Sequence, residues 1–181
     1  PVGTSAPNGV PQVNLNQVSA RTNLSETAFF FPQLTSQKDG SVKLEFTMPE
    51  ALTSWKFFAF AHDQDLRSGF LADSVVTAKD LMVQPNPPRF LREGDRLEFT
   101  VKVTNQSNAA QQGSVRLSLA DARTLDSADA ALGNAKPDLS FDIPAKESRS
   151  FSWKLSVPDG QGFLIYKTVA SNGNLSDGEE G

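Results

Sequence analysis

Strict alternation of apolar and polar residues marks several short segments of this chain. The clearest covers residues 97–103, where every second residue is Leu, Phe or Val and the residues between them are polar. The same two-residue period recurs at 114–119, 139–143 and 151–157. Successive side chains of a strand point to opposite faces, so each of these segments is predicted to be a strand with one buried face.

The first half of the chain has a more apolar pattern. An aromatic run, "TAFFFPQL" (27–34), precedes a turn predicted at Asp39-Gly40, and "SVKLEFTMP" (41–49) then alternates like a strand. "SWKFFAFAHD" (54–63) is apolar at both odd and even positions, which is typical of a central strand packed on two sides. "SVVTAKDLMVQ" (74–84) is predicted to be a further strand.

Together these segments predict an all-β fold. Short strands joined by turns, without a long helical pattern, favour an antiparallel β-sandwich of the immunoglobulin-like kind. Residues 121–138 break the rhythm and are predicted to be a long loop, because Gly133 and Pro137 disfavour a helix. Residues 90–170 supply five or six strands but 27–83 only about four. The earlier unit is therefore expected to be incomplete unless it pairs with strands outside this chain or packs on the later unit.

A proline cluster separates the two halves. Pro85, Pro87 and Pro88 fall within "QPNPPRF" (84–90), and proline is disfavoured inside a helix or a paired strand. Each proline fixes its own φ and restricts the residue before it. The stretch is therefore predicted to be a stiff joint between two units, and replacing its prolines with glycine is expected to loosen that joint.

This boundary gives three predicted segments. Residues 1–20 are rich in Pro, Gly, Ser and Asn and are predicted to be a flexible linker, in which "VNLNQV" (13–18) is a candidate edge strand. Residues 21–83 form the incomplete unit, and residues 84–181 form a complete β-sandwich. The chain begins at Pro1 without a Met or a signal sequence, so we expect it to be a piece of a longer protein.

Composition excludes several classes of function. The net charge is −4 and the pI is about 5.0, whereas nucleic-acid binders carry basic stripes. No apolar run reaches the roughly 18 residues of a membrane span, so direct membrane insertion is not expected. The chain has no cysteine, which removes disulfides, thiol catalysis and thiolate–zinc sites from consideration.

Candidate catalytic chemistry is sparse. His62, Asp63 and Asp65 could form a metal or acid–base site, but neighbouring strand residues point to opposite faces, so a polar turn is favoured. "REGD" (92–95), around Gly94, is predicted to be a turn that launches a strand. The aromatic residues of segments 29–31 and 55–60 could stack on a sugar, although sheet core is the favoured use. We predict no catalytic, cofactor-binding or metal-ligating residue and no enzyme activity.

Three stretches, taken in order, resemble a known family. They are "RTNLSETAFFFPQL" (21–34), "DGSVKLEFTMPEALTSWKFFAFAHD" (39–63) and "KDLMVQPNPPRFLREGDRLEFTVKVTNQS" (79–107), and "SDGEE" (176–180) follows near the end. The order runs from an arginine and Glu-Thr through an aromatic pair to Pro-Glu-x-Leu-Thr-x-Trp and a proline-rich entry. This order resembles that of the α2-macroglobulin family, and most closely its bacterial members.

The resemblance implies a layout and an activity. Family members are chains of macroglobulin-like β-sandwich domains, one of which is interrupted by insertions that include a protease bait region. Residues 21–83 would be the second part of that interrupted sandwich, residues 84–181 the next macroglobulin-like domain, and residues 1–20 the tail of the bait-side insertion. The parent would trap proteases by a conformational change after bait cleavage, in the periplasm or at the cell surface, with proteases and neighbouring domains as partners.

The resemblance carries over no catalytic residue. The family thioester, Cys-x-Glu-Gln, is not in this cysteine-free chain, so whether the parent has one stays open. The matching residues are expected to be architectural, with Trp55 as a core anchor and Glu26-Thr27 at the entry into a strand. The complete set is Glu26, Thr27, Pro49, Thr53, Trp55, Pro85, Pro87, Pro88 and Gly94.

The alternative is a cell-surface adhesion or carbohydrate-binding β-sandwich. "FLREGDRLEFTVKVTNQS" (90–107) alone resembles many cell-surface repeats. This alternative hypothesis accounts for only one half of the chain, whereas the α2-macroglobulin resemblance accounts for both halves.

Overall fold

The computed structural model describes residues 13–181, which divide into two compact units. Unit 1 comprises 13–20 together with Lys79–Gly181, and unit 2 comprises Arg21–Ala78. Unit 2 is therefore an insertion within the chain of unit 1. The predicted boundary at 83/84 lies a few residues after the point where unit 2 ends, and the prediction for residues 1–12 falls outside the described residues.

Unit 1 is an antiparallel β-sandwich. Its strands are β3 (Leu81–Asn86), β4 (Arg96–Asn105), β5 (Gln111–Asp121), β6 (Asp138–Ile143), β7 (Ser148–Ser156), β8 (Leu164–Ser171) and β9 (Ser176–Glu180). Three strands pair in the order β3-β4-β7, and four pair in the order β6-β5-β8-β9. All of these pairs are antiparallel, so the predicted all-β sandwich class is confirmed.

The core of unit 1 lies between its two sheets. The alternating apolar residues of β4 and β5 point inward, and Val101, Val103, Val115 and Leu117 have no exposed surface. The loop 121–138 contains turns rather than a helix, as predicted, and contributes the fully buried Leu132 to this core. Buried apolar area of this kind supplies most of the favourable free energy of folding.

Unit 2 contains a single antiparallel hairpin among its residues, β1 (Ser54–His62) paired with β2 (Ser68–Val76). The predicted turn at Asp39-Gly40 is present, with Gly40 at φ 83°. The segment 41–49, which alternates like a strand, forms none, and neither does the aromatic run 27–34, because residues 27–53 contain no strand. Alternation indicates which side chains are favourable to bury, but a strand also needs a hydrogen-bonded neighbour. These segments have no such neighbour in the described chain.

Two further strand predictions were wrong in detail, and one strand was missed. The segment 74–84 divides between β2 and β3, which belong to different units. The segment 13–18 holds a 3-10 turn at Leu15–Gln17 rather than an edge strand, since Asn14 caps it by accepting from the backbone N–H of Asn16. The polar strand β9 was not predicted, because "SDGEE" has no apolar alternation.

Pro85 lies inside a paired strand, contrary to the sequence expectation. It occupies β3, the edge strand of its sheet, opposite Val101. The backbone N–H of Val83 points away from β4 and donates to the Asp177 carboxylate at 2.9 Å. Alternation places the nitrogen of Pro85 on the same outward side, so the proline removes no ladder hydrogen bond.

Among residues 13–181 there is no α-helix, and hence no helix that could cross a bilayer.

Candidate interaction surface

One face of the β1–β2 hairpin forms the floor of an apolar trough in unit 2. Trp55 and Phe57 of β1 line it, and the irregular segment before the hairpin forms its wall. The Phe29 ring packs against Phe46 and Phe57, with centroids 4.3 and 6.1 Å away. The trough has a volume of about 1020 Å³. Packed protein interiors contain few voids larger than a water molecule, so the trough is an unfilled apolar surface rather than a core.

The hydroxyl of Thr77 holds the Trp55 side chain in this trough. It accepts a hydrogen bond from the Trp55 indole N–H at 3.0 Å and donates to the carbonyl of Ala51 at 2.7 Å. The backbone N–H of Thr77 donates to the carbonyl of Thr53 at 2.9 Å. Trp55 is therefore oriented by a residue that the sequence analysis did not select, and its role as a core anchor remains a prediction.

Glu50 fixes the start of unit 2. Its carboxylate accepts the backbone N–H groups of Thr22 and Asn23 at 3.0 and 3.1 Å. Its own backbone N–H donates to the carbonyl of Asn23 at 2.8 Å. Two backbone donors on one carboxylate tie residues 22–23 to residue 50.

The second face of the hairpin is also apolar. Phe58 and Phe60 alternate with Trp55 and Phe57 along β1, and Phe58 also reaches the edge of the trough. Phe60 lies directly opposite Phe70 of β2. The rings of Phe58, Phe60 and Phe70 are 62%, 68% and 67% exposed. The sequence predicted that both faces of this strand are covered, yet within the described residues one face borders the trough and the other is open.

The other predicted architectural residues of unit 2 lie around the trough. Glu26, Thr27 and Thr53 line it, and Pro49 is buried. Their predicted architectural roles remain predictions.

Asp63 and Asp65 lie in the polar turn that follows His62, the last residue of β1. The Asp63 carboxylate accepts the backbone N–H groups of Asp65 and Arg67, at 2.9 and 3.0 Å, and pairs with the Arg67 guanidinium at 2.7 Å. Every carboxylate oxygen of Asp63 is thus used within the turn. In the described part of the chain, no group of three His, Cys, Asp or Glu side chains is placed to hold a metal.

The residues of the predicted joint belong to unit 1. Gly94 has φ 80°, which favours glycine, and its N–H donates to the carbonyl of Val157 at 2.9 Å. Arg92 and Asp95 close this turn, because the Arg92 N–H donates to the Asp95 carboxylate at 2.8 Å. Pro87 and Pro88 are exposed and lie between β3 and β4. "REGD" is therefore a turn that launches β4, as predicted.

Comparison with known proteins supplies the family. A sequence model of the Alpha-2-macroglobulin family matches residues 27–117 of the 181, and the match crosses from unit 2 into unit 1. The chain belongs to the alpha-2-macroglobulin family. The resemblance read from the three ordered stretches is therefore confirmed.

Bacterial relatives extend the alpha-2-macroglobulin match over most of the chain. An alpha-2-macroglobulin homolog of Nostoc sp. is 30% identical over 87 residues, which is 48% of this chain and 5% of that protein. The alpha-2-macroglobulin of Thermotoga maritima is 22% identical over 162 residues, 90% of this chain and 10% of that protein. The chain thus spans a tenth or less of the length of these relatives.

Crystal structures share the fold. Two structures of Salmonella alpha-2-macroglobulin, one of a mutant and one of the protein reacted with methylamine, match with TM-scores of 0.53 and 0.55. Each match covers 82% of this chain and 9% of the other, at 18% identity.

Proposed function

We propose that this chain is a non-catalytic structural part of a bacterial α2-macroglobulin-like endopeptidase inhibitor, whose parent traps proteases by a conformational change after bait cleavage. The observation that carries the proposal is the family match over residues 27–117, which runs through both units. A lone adhesion or carbohydrate-binding sandwich would account for unit 1 but not for unit 2.

Unit 2 is, on this proposal, the second part of an interrupted macroglobulin-like sandwich. Its hairpin has apolar residues on both faces, and β1 and β2 pair only with each other in the described chain. An isolated two-stranded hairpin is marginally stable at best. The missing cover would come from other strands of the same parent, laid over Phe58, Phe60 and the trough.

The partners follow from the same proposal. Proteases would be met by the full-length parent rather than by this chain, and neighbouring domains of the parent would be the direct contacts. Neither nucleic acid nor direct membrane insertion has a part in it. The parent would act outside the cytoplasm, in the periplasm or at the cell surface.

The test uses the full-length parent incubated with an endopeptidase. A caged protease should still hydrolyse a small peptide substrate but should no longer digest a large protein substrate. We expect wild-type parent to produce this split. Phe58→Asp with Phe60→Asp should weaken it, because charges would then lie under the cover that the proposal requires.

Phe163→Asp is the matched control, since Phe163 is exposed in unit 1. It should leave the split between small and large substrates unchanged, and circular dichroism should confirm that each variant folds. Equal loss of activity on small and large substrates, or no loss on either, would count against protease trapping.

A further inference from the structure

Residues 13–20 cross the outer face of the four-stranded sheet of unit 1 as a strap. Leu15 and Val18 are buried, at 4% and 8% exposed, and pack against Val169 of β8. Val169 pairs with Arg116 of β5, so both project from the outer face, opposite the core. The predicted flexible linker is therefore a docked segment over its described residues.

A polar contact fixes the register of the strap. The Arg116 guanidinium donates to the side-chain oxygen of Asn16 at 2.6 Å. The same guanidinium forms a two-bond contact with the Asp138 carboxylate of β6, at 2.5 and 2.7 Å. The bidentate pair holds Arg116 in place, so Nη1, the nitrogen that Asp138 does not use, is presented to Asn16 in a fixed direction.

The end of the strap rests on a glycine of β9. A Cβ built on Gly178 would lie 3.2 Å from the Cα of Ala20, 2.9 Å from the Cγ1 of Val169 and 3.1 Å from the carbonyl of Thr168. Any larger residue would therefore push against the strap. Gly178 allows the backbone at residue 20 to approach the strand closely, just before unit 2 begins.

The preceding residue of β9, Asp177, contacts the segment that follows unit 2. The Lys79 ammonium lies 2.9 Å from the Asp177 carboxylate, whose side chain is fully buried. The other oxygen of Asp177 accepts the backbone N–H of Val83 at 2.9 Å. Two consecutive residues of β9 thus contact the segments on both sides of unit 2.

We propose that Asp177-Gly178 is a clamp for the two segments that flank unit 2, and that its strap side is a latch that opens while its Lys79 side stays closed. The strap buries Leu15 and Val18, with Val13 partly buried beside them, and its hydrogen bond to Arg116 is exposed. Lys79 instead leads into β3, whose six residues pair with β4. Segments with few buried contacts open first, so the strap is the weaker side.

The latch gives the strap an intramolecular ligand role. The strap presents the apolar pair Leu15 and Val18 to the sheet, and the Asn16 side-chain amide accepts a hydrogen bond from Arg116 of β5. A force on the chain before residue 13, or a cleavage there, would act on β9 by displacing the strap from the sheet. The inference goes beyond the proposed function, because the clamp is present whether or not the parent traps proteases.

Limited trypsin digestion of the 181-residue chain tests the latch. Residues 1–20 contain no Lys or Arg, so the first tryptic site is the buried Arg21 and its cleavage releases a defined N-terminal peptide. Cleavage of a folded protein tracks the population of the open form. Leu15→Asp with Val18→Asp should accelerate the cut after Arg21 by roughly tenfold or more, and the cut after the exposed Lys43 should not change.

Two further variants separate the two sides of the clamp. Asp177→Asn should accelerate the cut after Lys79 but leave the cut after Arg21 near its wild-type rate. Gly178→Ala should do the reverse, because the added methyl group meets both Ala20 of the strap and Val169, on which the strap packs. Phe163→Asp again serves as the control for a charge on an exposed position of unit 1.

Asn16→Ala decides the outcome if the double variant unfolds, since it removes one exposed contact and leaves the buried residues unchanged. Its cut after Arg21 should accelerate by a smaller factor, with the circular dichroism spectrum preserved. An unchanged rate after Arg21 in Asn16→Ala and Gly178→Ala would overturn the latch. So would acceleration at Arg21 and Lys79 together in Asp177→Asn.

Discussion

Single polar side chains hold the irregular parts of unit 2. Thr77 orients Trp55, and Glu50 ties down residues 22–23. Trp55 could be predicted because it lies in a recognisable motif, whereas Thr77 lies 22 residues away and nothing in its local sequence marks it as the indole's partner. Glu50 lies in that motif too, directly after Pro49, and its place in the motif is the signal that could have found it.

Thr77→Val should loosen the anchor of unit 2. The substitution keeps the shape of the side chain but removes the acceptor for the Trp55 indole N–H and the donor to Ala51. Loss of such contacts costs about 1–3 kcal/mol. We expect hydrogen exchange of the Trp55 indole to accelerate by a corresponding factor in NMR spectra, while the Trp153 indole of unit 1 stays protected. Thr47→Val, at an exposed position of unit 2, is the control, and equal effects of the two would contradict the assignment.

Asp121 should make unit 1 sensitive to acid. Its carboxylate accepts the backbone N–H groups of Arg123 and Thr124 at 2.8 and 3.1 Å, and these bonds lower the pKa of Asp121 below its usual 3.8. A folded-state pKa below the unfolded one means that the unfolded chain binds more protons as the pH falls. The stabilisation is therefore present above about pH 4 and is lost as the pH falls through the folded-state pKa.

Urea denaturation of wild type and Asp121→Asn between pH 6 and pH 2 measures this effect. The wild type should be the more stable at pH 6, and the difference in free energy of unfolding should shrink toward pH 2. A difference that stays constant with pH would show that Asp121 acts through shape and not through its charge.

At the scale of elements, alternation predicted the strands whose inner face enters a core. β4, β5, β6 and β7 were all found in this way, because each has one apolar face and a neighbour on at least one side. β9 was missed, since its one fully buried side chain is the charged Asp177. The segments 27–34 and 41–49 show the reverse failure, in which a strand-like pattern lacks a neighbour to pair with.

Gly113→Ala should destabilise the four-stranded sheet. A Cβ at this position of β5 would lie 2.2 Å from the backbone carbonyl oxygen of Ser171 and 2.7 Å from the Cζ of Phe141. Backbone cannot yield as a flexible side chain can, so we expect a loss of at least about 2 kcal/mol in the free energy of unfolding. Replacing glycine with alanine otherwise stabilises by restricting the unfolded chain, which makes the sign of the effect diagnostic.

Ser114→Ala is the matched control in urea denaturation, because its side chain is on the opposite face of the same strand. It should change the free energy of unfolding by much less than Gly113→Ala. A similar loss in both variants would mean that the close approach at Gly113 is not the cause of the lower free energy of unfolding.

At the scale of the whole molecule, the sequence indicated two unequal units but not that one is inserted into the other. Composition assigned residues 1–20 to a linker, and only long-range contacts such as Asn16 with Arg116 place 13–20 in unit 1. The sequence also indicated that the earlier unit has few strands and apolar residues on both faces of 54–63, and that this unit is incomplete remains a prediction.

The prolines provide a test at this scale. Pro85, Pro87 and Pro88 all lie in unit 1, within or just after β3. Replacing them with glycine raises the entropy of the unfolded chain. We therefore expect the free energy of unfolding of unit 1 to fall by roughly 1 kcal/mol or more, with an unchanged small-angle scattering profile. A changed profile without a change in stability would instead support the stiff joint predicted from the sequence.

The clamp on β9 also sets an order of events during synthesis. The contact between Asn16 and Arg116 spans 100 residues, and that between Lys79 and Asp177 spans 98. Both need the second sheet, and β9 is the last strand of the described chain to emerge. All of unit 2 therefore leaves the ribosome before β9, the strand that contacts both of its flanking segments, has been made. Until then Leu15 and Val18 of the strap have no folded sheet to pack on, which makes this interval the time when the nascent chain most needs a chaperone.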